Sequence, residues 1–334
     1  MIRVAIMGMA VLLAAPAWTE QRSGVTARFR GISAVSERVA WASGSGGTIV
    51  RTANGGATWE RLTVPNAEKL DFRDIDAVSD DVAYALSIGN GESSRIYKTS
   101  DAGKTWTLQF TNTDPKAFFD AMAFWDAERG IAFSDSVDGK LVILRTDNGG
   151  RGWTYVPAEG LPPALENEGA FAASGTNVAV SGRDHVWIGT STSRVLRSTD
   201  GGRTWSVAPT PIPVGSSTGI FSIAFRDANH GVIVGGDYTK EAEAVDNVAV
   251  TDDGGRTWKT MKGLSGFRSV VAYLPGEAAT LLAVGPQGAD QSTDDGRTWT
   301  PVTGATGLHT FAVAKRGRTG WGAGEKGRIL RMTY

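Results

Sequence analysis

The sequence predicts an all-β fold, a seven-bladed β-propeller, and three observations carry that expectation. An octet recurs six times, short β-type runs flank every copy, and the one unit that lacks an octet can borrow a strand from the opposite end of the chain.

The octets are TANGGATW (52–59), TSDAGKTW (99–106), TDNGGRGW (146–153), STDGGRTW (198–205), TDDGGRTW (251–258) and STDDGRTW (292–299). Their tryptophans, Trp59, Trp106, Trp153, Trp205, Trp258 and Trp299, are spaced by 47, 47, 52, 53 and 41 residues, a period suited to one four-stranded blade. Runs such as GTIVRT and RIYKTS precede the octets, and runs such as TWERLTV and TWTLQF follow them, so each octet is the turn of a hairpin. The third residue, Asn54, Asp101, Asn148, Asp200, Asp253 or Asp294, is placed to accept bonds from turn amides, with Gly at positive φ and the Trp ring folded over the turn. A carboxylate so engaged is poorly placed for catalysis or calcium binding.

Two further runs lie upstream of each hairpin. One is FRGISAV, FRDIDAV, FFDAMAF, FAAS, FSIAF or FRSVVAY, and the next ends in small residues, as in VAWASG and VAYALS. Units begin near Gly31, Asp71, Ala117, Gly169, Gly219 and Gly266, and a seventh at Gly307 stops after three strands. Residues 18–25, WTEQRSGV, have the form of the strand after an octet, so the N-terminus completes the last blade and closes the ring.

Composition fits this. The chain has 334 residues, 41% apolar and 21% charged, with a formal net charge of −1, which argues against binding nucleic acid by phosphate neutralisation. Arg3, the apolar run from Val4 to Leu13 and Ala15-Pro16-Ala17 read as a cleaved export signal spanning 1–17, leaving 18–334 as a single domain. With no Cys there is neither disulfide nor thiolate metal site, and a monomeric periplasmic or secreted protein without cofactor is expected.

The octets lie on one face. The opposite face carries two long loops, 156–170 and 235–247, where binding residues are expected. These are acidic, with Glu159, Glu166, Glu168, Asp237, Glu241, Glu243 and Asp246, joined by Asp135 and Asp138 and by Tyr238. They read as a solvated surface or as a site for a divalent cation or basic partner. Aligned on the leading apolar residue of each inner strand, the next positions are Arg30, Arg73, Asp120, Ala172, Ser222, Arg268 and His309. Arg268, His309, Arg30 and Arg73 then form a cationic arc at the channel mouth, suited to a carboxylate or phosphate, or else paired with carboxylates of adjoining blades.

The octets resemble the Asp-box, or bacterial neuraminidase, repeat. Through VAWASGSGGTIVRT (39–52), SDSVDGK (134–140), NEGAFAASGT (167–176), GIFSIAF (219–225) and VGGDY (234–238), the chain from Trp18 to Tyr334 resembles the photosystem II stability/assembly factor-like family of exported propellers. That resemblance implies a non-catalytic platform for a protein or peptide. Sialidases share the repeat and set three arginines against a substrate carboxylate, with a Tyr–Glu pair. Arg30 stands where their Phe-Arg-Ile-Pro motif begins, but Gly31 and Ile32 replace its Ile-Pro, so a sialidase-like glycosidase is the alternative. Three histidines, 185, 230 and 309, and glycine pairs confined to turns give oxidoreductase chemistry no support.

Overall fold

The computed structural model describes residues 16–334, so the expected export signal lies almost wholly outside the described residues. Seven four-stranded antiparallel sheets form a ring. Blade one comprises β2 (Phe29–Ala34), β3 (Ala40–Gly44), β4 (Thr48–Thr52) and β5 (Glu60–Leu62). Blades two to six run from β6 (Asp71–Ala77) to β9 (Thr107–Thr111), β10 (Phe119–Phe124) to β13 (Thr154–Tyr155), β14 (Val178–Ser181) to β17 (Ser206–Pro209), β18 (Thr218–Phe225) to β21 (Lys259–Thr260), and β22 (Val270–Tyr273) to β25 (Thr300–Val302).

Blade seven is composite. β26 (Leu308–Val313), β27 (Thr319–Gly324) and β28 (Arg328–Thr333) are completed by β1 (Ala17–Arg22), which pairs antiparallel with β28 from Ala17 opposite Thr333 to Arg22 opposite Arg328. Gln21 ties this closure to blade one. Its amide nitrogen donates to Gly55 O at 2.9 Å, and its oxygen accepts from the indoles of Trp59 at 3.1 Å and Trp321 at 3.2 Å.

The octets are hairpin turns with one repeated bonding pattern. In STDGGRTW the Ser198 hydroxyl donates to Asp200 and accepts from the Gly202 amide, while Asp200 accepts from the amide and hydroxyl of Thr204. Burial works to raise the Asp200 pKa, but these bonds outweigh it and pull the carboxyl down to about 2. Gly202, at φ +78, occupies backbone space that side chains avoid. The blades pack through apolar clusters between neighbouring sheets, such as Trp41, Ile49, Phe72 and Trp106 between blades one and two.

Blade four departs from expectation. FAAS is not its inner strand, which is Val178–Ser181. Residues 169–176 instead enter the central channel and plug it. Arg73 of blade two donates to Ala172 O at 3.0 Å, the Ser174 hydroxyl donates to Ser269 O of blade six at 2.9 Å, and Thr310 of blade seven donates to Ser174 O at 3.2 Å. Ile223 N of blade five donates to Thr176 O at 2.9 Å. Gly175, at φ +73, sits so close to the Asp74 carboxyl that a Cβ there would lie 2.3 Å from an oxygen. The plug leaves a blind cavity on each side, one lined by Ala172 and Ala173 and the other by Ser174, Gly175 and Thr176.

Candidate functional site: an arginine and aromatic pocket

Five inner strands skip one residue in pairing with their neighbours. The bulge falls on Arg30, Arg73, Asp120, Phe221 and His309. The residue before it, Phe29, Phe72, Phe119, Ile220 or Leu308, is fully buried among the sheets. A bulge lets two consecutive side chains escape strict alternation. Four of the five bulged residues, Arg30, Arg73, Phe221 and His309, line one cavity at the channel mouth.

This register corrects two expectations. In blade one, Gly44 of the second strand packs against Arg28 O and the Cα of Phe29; in blade five Gly235 meets Gly219 O and Ile220, and in blade six Gly285 meets Phe267 O and Arg268. Arg268 therefore holds the position of Phe29, the buried leading residue, and Ser269 holds that of Arg30. Likewise Phe221, not Ser222, is the mouth residue of blade five. A one-residue slip sends a strand's side chains to the opposite face. Arg268 accordingly leaves the arc: 1% exposed, it bonds the fully buried Asp290 at 2.6 Å, with Ser265 bridging the two. Ser222 is buried deeper in the channel, accepting from Val271 N and Thr176 Oγ1. Ala172 reaches the mouth through the plug rather than a strand.

The cavity measures about 310 Å³ and has two unlike halves. On one side stand three guanidinium groups, Arg28, Arg30 and Arg73. Arg28 was not foreseen, although RFR places two arginines on one strand face by period two. Carboxylates answer them incompletely. Asp71 receives Arg73 Nε at 3.0 Å and lies 3.8 Å from Arg28, and half-exposed Glu325 lies 3.6 Å from Arg30 and 3.1 Å from His309 Nε2. Arg30 Nε is buried with no hydrogen-bond partner. Burial, then repulsion from Arg73 and Arg28, pushes the Arg30 pKa down to about 10, so it stays charged at neutral pH. Burial, then repulsion from the same three arginines, pushes His309 down to about 4, leaving the imidazole neutral.

On the other side stand aromatics. Phe171, carried by the plug, stacks on Phe221 with ring centroids 4.0 Å apart and planes 5° off parallel. Phe267 meets Phe221 edge-on at 4.7 Å, and Tyr238 stands edge-on to Phe171 and Phe221 at 6.2 and 6.1 Å. Tyr238 is thus at the site, and Glu241 of the same loop lines the cavity.

The remaining acids do not join it. Glu168 is fully buried and bonded by Arg194, the Leu165 amide and Thr192; burial works to raise its pKa, but these partners hold it low. It braces its own loop. Asp237 holds Thr239 in a turn, and Glu166 is exposed. Asp120 and Asp135 face each other beneath the stem of the plug. Asp120 is 1% exposed with one unpartnered oxygen, and burial followed by repulsion from Asp135 raises its pKa well above the usual range. Burial raises Asp135 to about 6. The Ala170 amide opposes both shifts without an aligned bond to either. The loop acids do not converge as a cation site would require: among the described residues no three His, Cys, Asp or Glu side chains are gathered as a metal site.

Fold and site together define a seven-bladed propeller with a plugged channel and a pocket lined by arginines and aromatic rings on the face opposite the octet turns. The chain is similar to the solved structure of YCF48 bound to D1 peptide, at 18% identity and TM-score 0.67, covering 96% of this chain and 100% of that one. It is likewise similar to YCF48 from Cyanidioschyzon merolae, at 18% identity and TM-score 0.65, covering 96% and 99%. A GH74 xyloglucanase from Xanthomonas campestris matches at 15% identity and TM-score 0.64, covering 94% of this chain and 53% of that one. No protein-family model matches the chain, and no curated protein matches it.

Proposed function

We propose that this protein is a binding platform that takes a carboxylate-bearing protein or peptide partner into the pocket of Arg28, Arg30 and Arg73. The observation that carries this is the convergence of three guanidinium groups on one cavity: Glu241 is the carboxylate in its lining and is bonded to Gln287, Asp71 and a half-exposed Glu325 approach the arginines from outside the lining, and Arg30 Nε has no partner. A carboxylate entering there gains charge-assisted bonds from donors already desolvated. A protein of the same fold is known with a peptide bound, which supports a peptide as the ligand class. The N-terminal sequence supports export to the periplasm or beyond, and the octets support an Asp-box ancestry.

Capture from a periplasmic extract tests this, using the wild type against the Arg28→Ala/Arg30→Ala variant, whose side chains, 42% and 17% exposed, line the pocket rather than the apolar clusters between the blades. Partners retained by the wild type and lost by the variant are expected. Identical partner sets overturn the reading.

A second reading, glycoside hydrolysis of sialidase type, draws on the presence of Tyr238 and Glu241 in the cavity with the three arginines. Against it, Glu241 accepts from Gln287 at 2.8 Å rather than from Tyr238, and Asp71 is engaged by Arg73. Turnover of an aryl sialoside, lost in Tyr238→Phe, would favour the hydrolase.

A further inference from the structure

We infer that the pocket reads the end of a polypeptide chain, and that the residue it selects is aromatic, its ring set against Phe171 and Tyr238, which Phe221 and Phe267 back, while its terminal carboxylate meets Arg28, Arg30 and Arg73. This rests on the reading above that the arginines receive a partner's carboxylate, and adds what stands beside it.

Three features converge. The first is juxtaposition: cationic residues from blades one and two and a wall of four aromatic rings from the plug and blades five and six face one cavity. A ligand satisfying both halves carries an anion and a flat apolar group on neighbouring atoms, as an aromatic residue with a free α-carboxylate does. The second is the floor. Ala172 and Ala173 close the channel through the bond from Arg73 and those made by Ser174, so a chain cannot thread through the ring and must enter end-on. The third is size. At about 310 Å³ the cavity sits at the low end of ligand pockets, enough for one terminal residue and its carboxylate but not for a folded segment.

The wall is built to receive a ring. Phe221 and Phe267 are buried and fixed by their mutual edge-to-face contact, whereas Tyr238 is 48% exposed at the rim of the loop after β19 (Gly231–Asp237). A third ring laid beside Tyr238 and Phe171 gains the offset or edge contacts that aromatic pairs favour and covers a side chain otherwise left in water. An Asp or Glu side chain within a strand would satisfy the arginines but leave the wall uncovered, and a free aromatic acid would satisfy both without using the open rim above the pocket.

Fluorescence anisotropy with N-terminally labelled pentapeptides tests this. The set shares four neutral residues and ends in Phe carboxylate, Phe amide or Ser carboxylate, with unlabelled N-acetylphenylalanine as competitor. The Phe carboxylate peptide is expected to bind, with both the amide and the Ser-ended peptide weaker by about tenfold or more. In Tyr238→Ala, whose exposed side chain makes misfolding no concern and whose unchanged melting temperature confirms it, the preference for Phe over Ser should shrink to within about threefold while the preference for carboxylate over amide persists.

Equal binding of Phe- and Ser-ended peptides, or no saturable binding of the Phe carboxylate peptide at millimolar concentration, overturns the inference. So does N-acetylphenylalanine competing as tightly as the pentapeptide itself, which would point to a small aromatic acid. Binding that is indifferent to Arg28→Ala/Arg30→Ala overturns instead the reading on which it rests. Arginine dependence without discrimination by the last side chain leaves that reading standing and this inference refuted.

Discussion

Arg73 Nη1 donates to the carbonyl oxygen of Ala172 at 3.0 Å, a contact that spans the channel from blade two to a segment 99 residues later. One guanidinium thereby faces the pocket and holds its floor. Replacing Arg73 by Ala removes both roles, whereas replacing Arg30 removes only the first. Hydrogen exchange followed by mass spectrometry should show faster exchange over residues 172–176 in Arg73→Ala and unchanged exchange there in Arg30→Ala. Equal protection in both variants would mean that the plug stands without its arginine.

Closure of the ring rests on β1, and Gln21 is its anchor. Two indole N–H groups and a carbonyl depend on that one amide, so Gln21→Ala leaves buried donors unpaired at about 1–3 kcal/mol each. A fall in Tm of several degrees is expected by calorimetry. Removing residues 18–28 also exposes the edge of β28, so that truncation should melt lower still and associate through the bared strand, as read by light scattering. An unchanged melting temperature would contradict the closure.

The Arg268 and Asp290 pair offers a direct comparison of a broken and a replaced buried ion pair. Arg268→Met alone strands a buried carboxylate and should cost about 3–5 kcal/mol, measured by urea denaturation. Arg268→Met with Asp290→Leu removes both charges and should recover most of that loss, because desolvating the pair offsets much of its attraction. Peptide binding should survive in the double variant, since the pair lies outside the pocket.

Two groups give opposite pH dependence between about 4 and 6. His309 has a folded pKa near 4, below the ordinary 6.5, so its contribution is complete above 6.5 and is lost as pH falls toward and through 4. Asp135 is raised to about 6 from an ordinary 3.8, so its contribution is complete below 3.8 and is lost as pH rises through 6. Thermal melts should therefore show Asp135→Asn gaining on the wild type as pH rises from 4 to 7, and His309→Gln gaining as pH falls over the same range. An anion on the arginines relieves the repulsion on His309, so ligand binding should raise its pKa, read from imidazole NMR shifts, and tighten as pH falls.

The ring was legible because it is written in repetition. Six octets and a last unit one strand short specify six full blades and one composite blade without any knowledge of contacts. The face of the site was legible too, since the octets mark the other one; Arg30, Arg73 and His309 lie at the expected mouth, and Tyr238, expected in the loops of that face, lines the same cavity. Arg268 and Ser222 were misplaced because alignment on the first aromatic of FSIAF and FRSVVAY is one residue out of register. The pairing glycines, Gly235 and Gly285, carry the register instead. FAAS resembles a strand in composition, and nothing local distinguishes an apolar run that pairs from one that crosses a channel.

The sequence alone therefore determined the blade count, the hairpin turns and their bonding, and the closure by the N-terminal strand, because each depends on residues near one another in the chain or on a period that repeats. Only the tertiary structure decided which side chains share the mouth, that Arg28 joins them, that residues 169–176 seal the channel, and that arginines and aromatic rings face each other across one cavity. Those relationships join five blades at separations of up to 281 residues between Arg28 and His309, where no local pattern records which groups will meet.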